Sequence, residues 1–235
     1  MLEERRTWEF EYRDGTTYSC DIFYYQTGLL VKVKKMSNYA KKFGFGSKTL
    51  IDLDGEKEGL VPTEEWKRAK TGIHWFPGNT IQMSIGQGYL LATPLQMLNS
   101  YNVIINNGIA YKPHVVKFLG NMEVKPEGLI NFNIRGDTLE IVKKSLWEAI
   151  NRAGGTGWRA KSNFSIAGKT ATIENPHGLS HASFIGFSPF NNPEISIIAF
   201  LESGGGGGEI AAPIVKNIVE SYFKLKKERY AKRQH

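Results

Sequence analysis

Ile166-Ala167-Gly168-Lys169-Thr170-Ala171-Thr172 sets one cation and two hydroxyls among small residues. Side chains alternate along a strand, so this stretch puts Lys169 and Ala171 on one face and Thr170 and Thr172 on the other, with backbone amides along the edge. Such a strand can offer a charge, a hydroxyl and an N–H to a single substrate. Gly and Ala around a lysine make a poor core, but they leave room for another backbone or a ligand to come close. The same residues also suit a plain edge strand whose lysine discourages aggregation.

Downstream, Asn175-Pro176-His177-Gly178 reads as a turn, and residues 182–187 and 194–202 as two further β-rich strands. The turn signals between them imply antiparallel hairpins. Gly204 to Gly208 then precede a helix in which Ile210, Ile214, Ile218 and Tyr222 recur every fourth residue beside Val215, Val219 and Phe223, able to cover one face of the sheet.

Upstream, Thr93-Pro94-Leu95-Gln96 is a helix start with a capping residue, a first-turn proline and a glutamine three positions after the cap. Leu95, Leu98, Asn102 and Ile105 continue one face, and Gly108 stops it. Asp137-Thr138-Leu139-Glu140 opens another helix with Leu139, Val142, Leu146, Ala149 and Ile150 as its stripe, ended by Gly154-Gly155-Thr156-Gly157. Residues 31–42 carry Val33, Met36, Tyr39 and Ala40 at helical spacing. Residues 47–80 break into Gly, Pro and charge, which predicts a surface excursion with a short helix around Pro62 to Lys67. Residues 1–18, with Trp8, Phe10 and Tyr12 at alternate positions, predict an extended lead-in closed at Asp14-Gly15. Between them, Tyr18-Ser19-Cys20-Asp21 runs into Ile22-Phe23-Tyr24-Tyr25, an aromatic segment whose burial would hold Ser19 and Asp21 in place.

A chain of 235 residues has ample length for a buried core, and 41% hydrophobic with 23% charged residues excludes disorder as the default state. The formal charge of +7 suits acidic partners in general. Much of it sits in the basic tail 224–235, which reads as solvated or membrane-facing rather than as a nucleic-acid site. One cysteine, Cys20, permits no intrachain disulfide and excludes Cys-rich zinc modules. No apolar run is long enough to span a bilayer, and Met1 to Arg6 lacks a signal-peptide core.

Lys169-Thr170-Ala171 with Ser19-Cys20-Asp21 resembles the K-T-G strand and the S-D-N loop of the penicillin-recognising acyl-serine enzymes. Ile85-Gly86-Gln87-Gly88-Tyr89, Ala92-Thr93-Pro94-Leu95-Gln96-Met97, His181-Ala182-Ser183-Phe184-Ile185-Gly186-Phe187 and the pentaglycine before Ala211-Ala212-Pro213 are similar, in the same order, to class B penicillin-binding proteins of the elongation type. The likeness covers nearly the whole chain.

The resemblance implies an α/β fold of the serine β-lactamase and penicillin-binding transpeptidase kind, an antiparallel sheet flanked by helices, with residues 1–235 as the C-terminal portion of that domain. It implies D,D-transpeptidation through an acyl-serine with no cofactor and no metal. By the same resemblance Lys169 and Ser19 move the leaving-group proton, Thr170 holds the substrate carboxylate, the Thr172 N–H supplies half of the oxyanion hole, and Asp21 contacts the substrate amide. Gly168 and Ala171 line the substrate path. The implied partners are stem peptides ending in D-Ala-D-Ala, β-lactams, a lipid-II-polymerising glycosyltransferase and elongation-complex proteins. Nucleic acid is not among them. The implied location is the outer face of the bacterial cytoplasmic membrane, with the anchor in an upstream helix.

Three departures stand out. The nucleophile motif S-x-x-K is expected before residue 1, since Ser221-Tyr222-Phe223-Lys224 fits it only by letter. Ala171 stands where glycine is usual, and Ser183 where an aromatic is frequent. Without that nucleophile the chain could instead serve as a non-catalytic scaffold. A nucleotide-binding reading of Gly168-Lys169-Thr170 fails on the first P-loop glycine, which would fall at Asn163. Ser100-Tyr101-Asn102 matches S-x-N but lies mid-helix, and His177 and His181 flank a turn unsuited to a helical metal pair.

Overall fold

The computed structural model describes residues 12–233. They form two compact units, one of residues 12–15 and 20–140, the other of residues 16–19 and 141–233.

Helix α1 (Tyr12–Thr17) replaces the extended lead-in expected there, and the part of that expectation falling on residues 1–11 lies outside the described residues. The physical reason is local. Tyr12 meets Phe23 edge-on at 6.0 Å, and a methyl on Gly15 would lie 2.5 Å from the same ring, so Tyr12 and Gly15 share a face at helical spacing.

Helix α2 (Asp21–Lys42) is interrupted at Lys32, whose φ of 68° and ψ of 152° are not helical. The predicted helix from residue 31 is therefore its second half, where Val33 joins Val61 and Met83 in a small core with Met36 and Ala40 against it. The first half runs through the aromatic segment, which is half-buried rather than buried. Gly28 lies where α2 meets α4 (Pro77–Ser84), with Ser84 occupying the space of a side chain.

Residues 47–80 are more structured than a surface excursion. Thr63 caps α3 (Glu64–Thr71) by accepting from the Trp66 N–H at 3.1 Å. Lys67 of that helix is only 3% exposed. Its ammonium donates to the His74 carbonyl at 2.8 Å and to Asn79 Oδ1 at 2.7 Å, and lies 4.8 Å from the Phe76 ring centre. A lysine counted as surface charge thus pins the start of α4. Two carboxylates fasten the preceding loop: Glu56 accepts from Thr49 N and Oγ1 and from Leu50 N, and Asp52 accepts from the Val115 and Val116 N–H groups.

Helix α5 (Pro94–Ile105) starts with the predicted reciprocal cap between Thr93 and Gln96. Its buried face is Gln96, Asn99, Ser100 and Val103, not the Leu95 and Leu98 side. Two small antiparallel ladders follow, β1 (Ile109–Tyr111) with β4 (Gly128–Asn131) and β2 (Phe118–Leu119) with β3 (Met122–Glu123).

Helix α6 (Gly136–Asn151) carries the predicted stripe, with Leu146, Ala149 and Ile150 buried in the second unit. There β5 (Ala167–Ile173), β6 (His181–Ser188) and β7 (Ile195–Leu201) pair antiparallel in chain order, as the turns predicted. A π-helical turn (Gly207–Ala211) leads into α7 (Ala212–Arg233). Val215 and Val219 of α7 pack with Ile150, Ile166, Ala182, Phe184 and Ala199, each buried valine stabilising by about 1.5–3 kcal/mol. Ile210, Ile214 and Ile218 stay partly exposed, so the valine stripe is the one that covers the sheet.

Candidate active site

Strand β5 lies at the sheet edge with Lys169 opposite Ile185, Thr170 opposite Phe184, Ala171 opposite Ser183 and Thr172 opposite Ala182. Phe184 and Ala182 belong to the helix-covered core, so Thr170 and Thr172 face the α7 side and Lys169 and Ala171 the other. The strand is seated by Phe184: methyls on Gly157, Gly168 or Gly186 would each come within about 3.2 Å of its ring. Gly168 is thus a packing necessity one residue before the lysine.

The glycine turn closes over the same strand. Gly207 N–H donates to Thr172 Oγ1 at 3.2 Å, and a side chain on Gly207 would run into the carbonyl oxygens of Ala171 and Ser183. A methyl on Gly208 would sit 2.8 Å from the Thr156 carbonyl and 3.6 Å from Thr170 Cγ2. Thr156, in sequence only part of a helix stop, joins the candidate site in the structure. Its hydroxyl pairs with the Thr170 hydroxyl at 3.3 Å, and its N–H donates to the Thr17 carbonyl at 3.4 Å. The available signal was a hydroxyl residue between two glycines, each of which a side chain would push into Ala149 or Ile150.

Lys169 is half-buried, with Nζ 3.3 Å from the Thr170 carbonyl and 3.5 Å from its hydroxyl. An ammonium and two paired hydroxyls, brought together from Lys169, Thr170 and Thr156, are groups that can donate to a carboxylate, and charge-assisted hydrogen bonds are about twice as strong as neutral ones.

Ser19 belongs to the same unit as Lys169, two residues from the Thr17 carbonyl that holds Thr156. It is exposed and ends α1 in a left-handed conformation, φ 55°. Its N–H donates to the Thr16 carbonyl at 3.3 Å, and the Cys20 N–H to the Gly15 carbonyl at 2.9 Å, the double closure of a Schellman cap that usually employs glycine. Asp21 opens α2 in the first unit and is exposed. The structure therefore groups Ser19, Gly168, Lys169, Thr170, Ala171 and Thr172 in one unit, with Thr156 added and Asp21 outside it.

The rival matches land elsewhere in function. Beyond Thr170 the strand continues to Ile173 and returns as β6, where a P-loop would enter a helix. Ser100 donates to the Met97 carbonyl inside α5, and Ser221 lies mid-helix in α7. His181 Nδ1 accepts from the Ser203 N–H. Among the described residues no cluster of three His, Cys, Asp or Glu could hold a metal, and no helix is long and apolar enough to cross a membrane.

A family model described as the penicillin binding protein transpeptidase domain matches residues 3–220. The chain is 32% identical over 229 residues to peptidoglycan D,D-transpeptidase MrdA of Haemophilus influenzae, covering 88% of this chain and 35% of that protein. It is 30% identical over 229 residues to stage V sporulation protein D of Bacillus subtilis, covering 88% and 33%. Among solved structures, Pseudomonas aeruginosa PBP2 in complex with WCK 5153 matches with a TM-score of 0.83 at 32% identity, over 89% of this chain and 46% of that one. Helicobacter pylori PBP2 in complex with MreC matches with a TM-score of 0.80 at 28% identity, over 92% and 40%. The chain spans about a third of the length of these curated relatives.

Proposed function

The chain belongs to the penicillin-binding protein transpeptidase family, and on that premise we propose that it is the sheet-bearing, C-terminal part of a peptidoglycan D,D-transpeptidase domain. The observation that carries this reading is the edge strand with Lys169 and Thr170, the latter bonded to Thr156, in a unit that also contains Ser19.

In the proposed reaction a serine supplied by an S-x-x-K motif outside these residues attacks the penultimate D-Ala carbonyl, and the terminal D-Ala leaves as an amine. An amine on a second stem peptide then takes the acyl group from the serine. Lys169 and Ser19 pass the nucleophile's proton to the leaving nitrogen. The Lys169 charge and the Thr170 and Thr156 hydroxyls hold the terminal carboxylate, while the Thr172 N–H stabilises the developing oxyanion. Gly168 and Ala171 keep the strand edge low enough for an extended peptide to lie along it, and Asp21 contacts that peptide's amide. β-Lactams enter by the same path and acylate the same serine. The reading places the whole protein on the outer face of the cytoplasmic membrane, beside a glycan polymerase and a partner of the MreC kind. It calls for no cofactor, since acyl transfer to serine needs only these groups.

The test is labelling with a fluorescent penicillin. The longer protein containing these residues is expected to label, and Lys169→Ala to slow its acylation by about 10²–10⁴-fold without loss of folding. The 235-residue chain by itself is expected not to label, because Ser221 is held within α7. Wild-type labelling rates in Lys169→Ala, or labelling of the chain at Ser221, would overturn the assignment.

A further inference from the structure

Ser19, exposed at φ 55°, occupies a backbone region uncommon for non-glycine residues. Such a conformation persists where the surroundings over-determine it. Within the second unit, residues 16–19 are held at the end of α6 by two handles. The Thr17 carbonyl accepts from the Thr156 N–H. The other handle is the Tyr18 side chain. Its ring centre lies 5.3 Å from the Arg152 guanidinium carbon, and a methyl on Gly154 would come 3.2 Å from Tyr18 Cε1. Gly154 has φ 78°, which glycine adopts at no steric cost, so the backbone leaving α6 passes against the ring as well.

Arg152 is itself fixed. Its N–H donates to the Glu148 carbonyl at 3.0 Å, and its Nη1 lies 3.6 Å from Glu148 Oε2, in an i,i+4 pair whose glutamate side chain is 10% exposed. The buried carboxylate thereby keeps a guanidinium that is 38% exposed from ranging through solvent, and the ring quadrupole attracts the planar cation on its other side. Trp158 and Arg159 form a like pair at 4.9 Å. Both are exposed, on a turn that carries none of the proposed site residues.

We propose that Arg152 and Tyr18 are positioning residues for acyl transfer: the ring, held by the Arg152 guanidinium and by Gly154, fixes the residue before Ser19 and so the direction of the Ser19 hydroxyl. Anchors on consecutive residues, Thr17 by its carbonyl and Tyr18 by its ring, leave residue 19 little freedom to turn. A proton relay depends on that direction, because its donor and acceptor must stay within hydrogen-bond reach. The inference rests on the relay role given to Ser19 in the proposed reaction. Neither Arg152 nor Tyr18 has a part in that reaction except through Ser19.

The longer protein containing these residues is acylated with a fluorescent penicillin in single turnover, which separates the maximal acylation rate from the apparent dissociation constant. Arg152→Gln is expected to lower the maximal rate about 2- to 5-fold, the size of one partly exposed cation–π contact, at an unchanged dissociation constant. Arg152→Lys, which keeps the charge, should recover part of the loss. Tyr18→Leu removes the ring while leaving Arg152 with Glu148 and should match Arg152→Gln, whereas Tyr18→Phe keeps the ring and most of the rate. Arg159→Gln, which breaks the pair on the exposed turn, should leave the rate unchanged. In a Ser19→Ala background Arg152→Gln should cost nothing further, since its effect passes through the missing hydroxyl. If Ser19→Ala itself acylates at the wild-type rate, the relay role of Ser19 fails and takes the inference with it. If Ser19→Ala is slow, three outcomes overturn the inference alone: wild-type rates in Arg152→Gln and Tyr18→Leu, a raised dissociation constant in place of a lowered rate, or the same loss with and without the Ser19 hydroxyl.

Discussion

Ser19 is held where glycine is at ease. A non-glycine residue at φ 55° carries a local cost of about 1–2 kcal/mol, and replacing it by glycine returns about 0.4–1 kcal/mol of that through a freer unfolded chain. Ser19→Gly is therefore expected to raise stability by roughly 0.5–1 kcal/mol in urea denaturation while lowering penicillin acylation of the longer protein. A loss of stability would show that the hydroxyl, not the backbone, sets the conformation. The pentaglycine gives a second residue-level contrast. Gly207→Ala puts a methyl into two backbone carbonyls that cannot swing away, so about 1–3 kcal/mol of destabilisation is expected. Gly206, at φ −83° with nothing nearer than 3.7 Å, should accept alanine within about 0.5 kcal/mol. Equal effects at the two positions would mean that the run is a flexible loop rather than a fitted turn.

At the scale of elements, the loop through residues 47–60 is tied down by two carboxylates, and its pH response follows from their surroundings. The Val115 and Val116 N–H groups hold the Asp52 carboxyl below its ordinary value. Burial raises Glu56, but the Thr49 hydroxyl, the Thr49 and Leu50 N–H groups and Lys48 outweigh it and leave its pKa lowered. A carboxyl whose folded pKa is depressed contributes stability that is complete above the unfolded value and lost as pH falls through the folded one. The amide resonances of Thr49, Leu50, Val115 and Val116 are thus expected to titrate with midpoints below the ordinary 3.8 of Asp and 4.5 of Glu. Midpoints at or above those values would mean the clamps do not hold in solution. This loop also shows where the sequence stopped being legible. The strands, the Thr93 cap and the α6 stripe were readable because cap chemistry and apolar periodicity are local signals. The clamps, the buried Lys67 and the polar buried face of α5 were not, because a charged or amide side chain is placed inside by partners such as His74, Asn79 and Ser47 to which no cap chemistry or apolar period ties it. The short ladders of residues 109–131 carry two to four residues each, too few for a period to emerge.

At the scale of the whole molecule, the candidate site is a product of convergence. Lys169 and Thr170 were legible because they form one stretch with a motif, and Ser19 because it does likewise. Thr156 was not, because its role arises only when the α6 terminus meets β5 and the end of α1, linking the Thr17 carbonyl to the Thr170 hydroxyl. If that link positions Thr170 for a substrate carboxylate, removing the hydroxyl at constant shape should damage chemistry more than folding. Valine keeps the Thr156 outline and its N–H to Thr17. Thr156→Val in the longer protein is expected to lower the second-order acylation rate by about 2- to 13-fold, the worth of one hydrogen bond of 0.5–1.5 kcal/mol. Thr156→Ser, which keeps the hydroxyl, should recover most of the rate. Should valine and serine acylate equally fast, Thr170 needs no partner at 156 and the hydroxyl pair serves packing alone.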